Sequence, residues 1–402
     1  MWFLRDLQIN SPSAALALLD RIGVDASGIE AMLPKMRHLN IRMEGVSCRA
    51  ANVIKQEMLA VGGDAAVARG TVACSIPATD VILMGTQKQL RRFAEKITRQ
   101  PFGLSLLALS VARFLENIDK QSHILKTARR DLTLGERTLI MGIVNVTPDS
   151  FSDGGRYLAT DQAIAHAMRL VDEGADILDF GGESSRPGAL PVSYEEEIAR
   201  ILPVIEAVAR QVDTPLAVDT TKAAVARAAL DAGAEIVNDI SAMRFDEEMP
   251  AVIAEAGAAV VLMHMRGTPT DMQSGDLTYE SLWGDIIRFL EERIVVAQKE
   301  GIEERQIVVD PGLGFGKDAE DNFRILRDLH ECRVLGVPVL IGPSRKAFIG
   351  RLTGGAPEER SEGTAAAVTA AIMNGAHLVR VHDAGAIKKV VMVADAVKGR
   401  NR

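Results

Sequence analysis

The chain has 402 residues, 47% of them apolar, 25% charged and 4% aromatic, with a formal net charge of -8. That length exceeds what one hydrophobic core usually serves, so two domains are expected. The acidic balance argues against a nucleic-acid or anionic-membrane surface, and no apolar run approaches the ~18 residues of a membrane span. The opening MWFLRDLQIN has no basic segment followed by an apolar one, so a cytoplasmic protein is expected. Cys48, Cys74 and Cys332 lack C-x-x-C spacing and read as buried thiols in reducing surroundings rather than as disulfides or zinc ligands.

Residues 1–125 read as a smaller α+β domain. Apolar periodicity predicts helices over 13–21, 49–60, 88–98 and 104–117, with strand-like stretches near 39–43 and 81–84. No catalytic motif stands out there, and its role stays unassigned. The polar segment 119–136 reads as the connection to a second domain, 126–402.

From residue 139 short β-branched runs alternate with amphipathic stretches. The runs are LIMGIVNV (139–146), DILDFGG (176–182), PLAVDT (215–220), EIVNDI (235–240), AAVVLMH (258–264), QIVVDPG (306–312), PVLIG (338–342) and HLVRVH (377–382). Continuous apolar strands joined by helices imply a parallel sheet buried on both faces. Eight such units in roughly 265 residues match the ~250 of a closed (β/α)8 barrel. A doubly wound open sheet is the structural alternative, weakened by the lack of G-x-G-x-x-G after the first run.

In such a barrel the active site lies at the C-terminal ends of the strands. Polar groups close almost every run: Asn145, Glu183, Asp219, Asn238-Asp239, His264, Asp310, Ser344-Arg345-Lys346, and Arg380 with His382. Cations follow the seventh run and end the eighth, where barrels most often bind phosphate, and Ser361–Thr364 opens a helix whose amides suit an anion. An anion site is the expectation; pairing of these cations with barrel carboxylates is the alternative. Asp219, Asn238 and Asp310 would face one another across the mouth, equipped to read a nitrogen heterocycle or to hold a divalent metal. GLGFGK (312–317) fails the phosphate-loop pattern, with Asp318 where Ser or Thr is needed. Its glycines read as allowing backbone to approach a ligand, with Phe315 as a wall. His264 lacks a second histidine at metal spacing and reads as a satisfied polar residue.

Seven strings in order resemble dihydropteroate synthases, barrel enzymes of the pterin-binding superfamily: NVTPDSFSDGG (145–155), DFGGESSRPGA (179–189), VDTTK (218–222), IVNDIS (236–241), VDPGLGFGK (309–317), GPSRK (342–346) and RVHD (380–383). The resemblance implies a transferase that condenses 6-hydroxymethyl-7,8-dihydropterin diphosphate with 4-aminobenzoate, giving 7,8-dihydropteroate and diphosphate, with Mg2+. It assigns Asp219, Asn238, Asp310 and Lys346 to the pterin, lined by Met263 and Phe315. Asn145 falls to the metal and, with Arg380 and His382, to the diphosphate. Phe151, Ser185, Pro187 and Ser344 fall to 4-aminobenzoate, with Asp149 and Asp153 beside developing positive charge. The string Ser184-Ser185-Arg186 stands where many relatives have Ser-Thr-Arg, keeping the hydroxyl and losing a methyl. The pterin-dependent methyltransferases share the barrel and similar Asp, Asn and Asp positions, but need no diphosphate site. The expected partners are the two small substrates and a second copy of the chain, with sulfonamides as mimics of the aromatic amine.

Overall fold

The computed structural model describes residues 2–9, 11–146, 155–184 and 188–400. The chain divides into two compact units, which meet in sequence at Lys120 and Gln121.

The first unit carries α1 (Pro12–Arg21), α2 (Ala26–Met32), β1 (His38–Ser47), α3 (Cys48–Ala60), β2 (Asp64–Val67), β3 (Ala78–Thr86), α4 (Gln87–Ile97) and α5 (Leu104–Asn117). Its strands form an antiparallel sheet in the order β1-β3-β2. Alternation on β3 sends Val81 and Leu83 into a core with Ile54 and Met58 of α3, Leu90 and Phe93 of α4 and Val111 of α5. The four expected helices and two strands are present. The two missed elements, α2 and β2, have seven and four residues, too short to show a period. The cysteine expectation is corrected here. Cys48 and Cys74 are joined as a disulfide with Cα atoms 5.5 Å apart, while Cys332 is a buried free thiol. Asn52 Nδ2 donates to the Thr71 carbonyl and holds that turn against α3. The contact is long-range, so spacing in the sequence did not announce it.

The second unit opens with a hairpin, β4 (His123–Lys126) and β5 (Asp131–Leu134). Segment 119–136 is therefore not a plain connection. Leu125 and Leu134 are fully buried against Leu139, Met141, Ile177, Ile236, Val308 and Leu378, residues at the starts of the strands that follow. The hairpin plugs the N-terminal end of the barrel.

All eight anticipated strands form: β6 (Leu139–Asn145), β7 (Ile177–Gly181), β8 (Leu216–Asp219), β9 (Ile236–Asp239), β10 (Ala259–Met263), β11 (Ile307–Asp310), β12 (Leu340–Ile341) and β13 (Leu378–Val381). They are parallel, in the order β11-β10-β9-β8-β7-β6-β13-β12. A parallel bridge between Val309 and Val339 joins the two ends and closes the ring. Around it run α6 (Gly155–Glu173), α7 (Tyr194–Ala209), α8 (Ala223–Ala232), α9 (Met249–Ala256), α10 (Leu282–Lys299), α11 (Ala319–Asp328), α12 (Ala347–Thr353), α13 (Ser361–Met373) and α14 (Ala384–Lys398). The outward residues of the strands, such as Val144, Phe180, Val218 and Val309, pack against these helices in one continuous core. Gly257, in the left-handed region at φ 62°, ends α9 and releases the chain into β10. Among the described residues no helix is long and apolar enough to cross a membrane.

Candidate active site

Side chains alternate along a strand, so each barrel strand offers one face to the interior. On that face residues change from apolar to polar toward the C-terminal end: Ile177 to Asp179, Ala217 to Asp219, Ile236 to Asn238, Val308 to Asp310, Leu378 to Arg380. The lower residues join the hairpin in a dry plug, and the upper ones form a polar layer facing the mouth.

Arg380 links that layer. Its Nε donates to Asp179 Oδ2 at 2.6 Å and its terminal nitrogen to Asp219 Oδ2 at 2.6 Å. Asn238 Nδ2 donates to the same Asp179 oxygen at 2.9 Å. Asp310 accepts from the Gly312 amide at 2.7 Å. Lys346 Nζ stands 4.3 Å from the centroid of the Phe315 ring, a cation over an aromatic face. Phe315 packs with Met263, Met265, Met272 and Ile240 in a separate apolar cluster. Asp219, Asn238, Asp310, Lys346, Arg380, Met263 and Phe315 therefore all occupy the mouth region.

Burial dominates the electrostatics of this layer. It raises the Asp219 carboxyl to about 7, against the pull of Arg380 and with the repulsion of Asp179. Burial likewise raises Asp310 to about 6, opposed by the Gly312 amide and Lys346. It lowers Lys346 to about 8, with Asp310 acting the other way. Acids are pushed up and the base down, so their protonation falls near neutral pH, as in sites that move protons.

The loop after β12 separates two cations that are adjacent in sequence. Arg345 lies in the left-handed region at φ 58°, a conformation costing about 1 kcal/mol or more for a residue with a Cβ. Its amide donates to Thr364 Oγ1 at 3.1 Å, and Arg360 donates to its carbonyl at 2.9 Å. Its guanidinium is turned onto Asp383, with both bonds at 3.0 Å. The turn delivers Lys346, not Arg345, to the interior. For Arg345 the carboxylate pairing is what forms, and the start of α13 serves to hold its backbone. His382 Nδ1 lies 2.9 Å from Ser344 Oγ, and its amide donates to the same hydroxyl at 3.2 Å. A residue expected at the diphosphate thus touches one expected at the aromatic amine.

Two of the 312–317 glycines meet the neighbouring loop. A Cβ on Gly312 would lie 2.0 Å from the His264 carbonyl oxygen, and one on Gly316 2.6 Å from that of Arg266. These two close approaches are to the neighbouring loop, whereas Gly314, at φ 82°, faces Lys346, with a Cβ there 3.5 Å from the lysine side chain. Lys317 locks the two loops together: its buried Nζ donates to His264 Nδ1 at 2.9 Å and to the His264 and Phe315 carbonyls at 3.3 and 3.1 Å. Burial and then Lys317 hold the His264 imidazole well below its ordinary range, so it is the neutral acceptor in this bond. His264 is a satisfied polar residue, as expected.

Sequence reading assigned no role to two groups in this region. Asp179 was visible only as an acid inside an otherwise apolar buried run; its parity with Gly181 and its even spacing from Ile177 were the available signal. Lys222 binds Glu183 at 2.6 Å and Glu197 at 2.5 Å, and Glu183 also accepts from the Val192 amide at 2.9 Å. Asp149, Phe151, Asp153, Ser185 and Pro187 lie outside the described residues.

For a metal, the described residues contain no group of three or more His, Cys, Asp or Glu. Asn145 ends β6 on the interior face, and its Oδ1 is 3.7 Å from where a Cβ on Gly181 would sit. One hard oxygen donor fits Mg2+, which is commonly held by one or two protein oxygens, substrate phosphates and water.

The model of pterin binding enzymes matches residues 141–382. The chain belongs to the pterin-binding enzyme family. It is 48% identical over 265 residues to the dihydropteroate synthase of Synechocystis sp., covering 65% of this chain and 91% of that one. It is 41% identical over 393 residues to a probable bifunctional folylpolyglutamate synthase/dihydropteroate synthase of Halobacterium salinarum. That match takes in 98% of this chain, its first unit included, and spans about half (47%) of the bifunctional relative. Among solved structures, the Xanthomonas albilineans dihydropteroate synthase with 4-aminobenzoic acid superposes with a TM-score of 0.65 at 48% identity, over 69% of this chain and 98% of that one. The activity of the chain is that of a dihydropteroate synthase, a transferase of folate biosynthesis.

Proposed function

We propose the following division of labour for the condensation of 6-hydroxymethyl-7,8-dihydropterin diphosphate with 4-aminobenzoate. The observation that carries it is the single polar layer formed by Asp219, Asn238, Asp310, Lys346 and Arg380 above an apolar plug. Carboxylates and an amide there accept the N–H groups of the pterin edge, and leaving any of those donors unpaired in a buried site costs about 1–3 kcal/mol. Phe315 and Met263 wall the flat ring. Arg380 and His382 bind the diphosphate, with Arg380 exchanging part of its hold on the carboxylates for phosphate oxygens. Asn145 is the residue to hold Mg2+, whose charge would neutralise the leaving diphosphate.

The bond from the exocyclic carbon to the diphosphate oxygen breaks, and the pterin ring carries the positive charge that develops. Asp219 and Asp310, fixed beside the ring, stabilise that charge, and so do Asp149 and Asp153 in this assignment. The amine lone pair of 4-aminobenzoate, held by Phe151, Ser185, Pro187 and Ser344, forms the new carbon–nitrogen bond and then loses a proton. No covalent protein nucleophile enters. The first unit supplies none of these groups, and its proposed contribution is to stability and solubility. A homodimer and a cytoplasmic location complete the reading; the exposed Met392, Val393 and Val397 of α14 support a second copy as partner.

The test is turnover by the purified full chain with both substrates, following diphosphate and dihydropteroate together. Equal amounts of the two products are expected. Diphosphate without dihydropteroate, or methyl transfer to a corrinoid instead, would refute the assignment.

A further inference from the structure

Asp179 is fully buried on β7, on the same interior face as the ligand-reading residues of the neighbouring strands. One of its oxygens, Oδ2, accepts from both Asn238 and Arg380. The other, Oδ1, is buried and has no partner among the described residues. A carboxylate in that state is costly, because burial removes water that only half of the group regains as hydrogen bonds. Its stabilising value to the barrel is therefore poor, and what it does for its two neighbours becomes the point of interest.

For each neighbour it removes a degree of freedom. The Asn238 amide can flip by 180° and exchange its donor and acceptor ends. With one Nδ2 hydrogen directed at Asp179, the amide has a single orientation, and its oxygen faces the other way. The Arg380 guanidinium is gripped through Nε, the atom nearest its stem, and through one terminal nitrogen by Asp219. That leaves the outer N–H groups as the free end of a fork whose plane is set. Two steps along β7 toward the mouth stands Gly181, whose missing side chain leaves the space between Asn145 and Asp219 open. A ligand entering the mouth meets Asn238, Asp219 and Arg380, while Asp179 is 0% exposed beneath them.

We propose that Asp179 is the positioning residue of the pterin diphosphate site: through one oxygen it fixes the amide orientation of Asn238 and the plane of Arg380, without itself touching substrate. The inference rests on the reading that Asn238 and Arg380 face the pterin diphosphate. It differs from a scaffold role in one respect. The effect of losing Asp179 must pass through its two partners and must fall on one substrate.

Asp179→Ala removes the oxygen that both neighbours share, so the Asn238 amide can turn over and the Arg380 guanidinium loses its hold at Nε. In the full chain this variant should raise KM for the pterin diphosphate about ten-fold or more and leave KM for 4-aminobenzoate within about two-fold. Its affinity for unphosphorylated 6-hydroxymethylpterin, by calorimetry, should fall through Asn238 alone. In an Asn238→Ala background the same substitution should weaken that binding by less than about three-fold, because the group it orients is gone. Full additivity in this cycle, or equal losses for both substrates, overturns the proposal and returns Asp179 to the scaffold. If the wild type itself binds no pterin, the functional reading fails; if it binds and Asp179→Ala binds equally, only the positioning role fails. Should Asp179→Ala not fold, judged by circular dichroism, Asp179→Glu takes its place: it keeps the charge, moves the oxygens by one methylene and must show the same selective rise in KM. Misfolding of both variants would make the residue structural and also overturn the proposal.

Discussion

Replacing Asp310 with Asn should make the barrel more stable at neutral pH while removing its affinity for pterin. The reasoning starts from a carboxyl that burial raises from 3.8 to about 6. A group with a raised folded value holds its proton more tightly in the native state. Its ionisation leaves stability untouched below the unfolded value near 4, erodes it between about 4 and 6, and leaves the full penalty in place above 6. Two units correspond to about 3 kcal/mol. The attraction of Lys346 and the bond from the Gly312 amide oppose that rise and are already contained in its net size. The Gly312 amide keeps an acceptor, because an asparagine oxygen can take the place of the carboxylate oxygen. The net expectation is a gain of up to about 3 kcal/mol at pH 8 and none at pH 4. Urea unfolding followed by the fluorescence of Trp283, buried in α10 of the barrel, reads this unit. A loss of stability of the same size at pH 4 and pH 8 would refute the reasoning, because it would mean that the native Asp310 carries no penalty for its charge.

Other expectations follow from the same geometry. Asp219, raised to about 7 chiefly by burial, should lose its acceptor role as it protonates, so pterin affinity should weaken as pH falls below about 7 and stay level above; calorimetry across pH 5.5–8.5 checks this, and the opposite slope would count against it. Chelating Mg2+ should weaken binding of the pterin diphosphate much more than that of the unphosphorylated pterin, measured side by side. A chain beginning at Gln121 should keep measurable synthase activity, whereas one beginning at Lys126 loses most of β4 and with it the Leu125 half of the plug. Leu134→Ala should cost about 2–5 kcal/mol for the same reason, read by urea unfolding.

The continuous apolar runs and the helical patterns between them were enough to place all eight barrel strands, because each strand is buried on both faces and its β-branched run is bounded by loop residues. Strand order followed from the same pattern, since sequential parallel strands joined by helices have few ways to pack. The polar layer at the mouth was legible for a related reason, since polar residues close the apolar runs where barrel sites form; its assignment to the pterin came from the resemblance. What the linear chain left open depends on contacts between residues distant in sequence. Hairpin 123–134 looked like a linker because its two inward leucines are separated by charged residues, and only the barrel's open floor gives them a place. Arg345 and Lys346 looked like one cationic pair until a left-handed turn, held by Thr364 and Arg360, sent them to different partners. Cys48 and Cys74 met through a fold of the first unit that no spacing encodes. Asp179 is the clearest case. Local sequence marks it as an acid in a strand, but its partners come from β9 and β13, 59 and 201 residues away. Parity aims a side chain into the barrel; which strand ends share its oxygen is decided by closure of the ring.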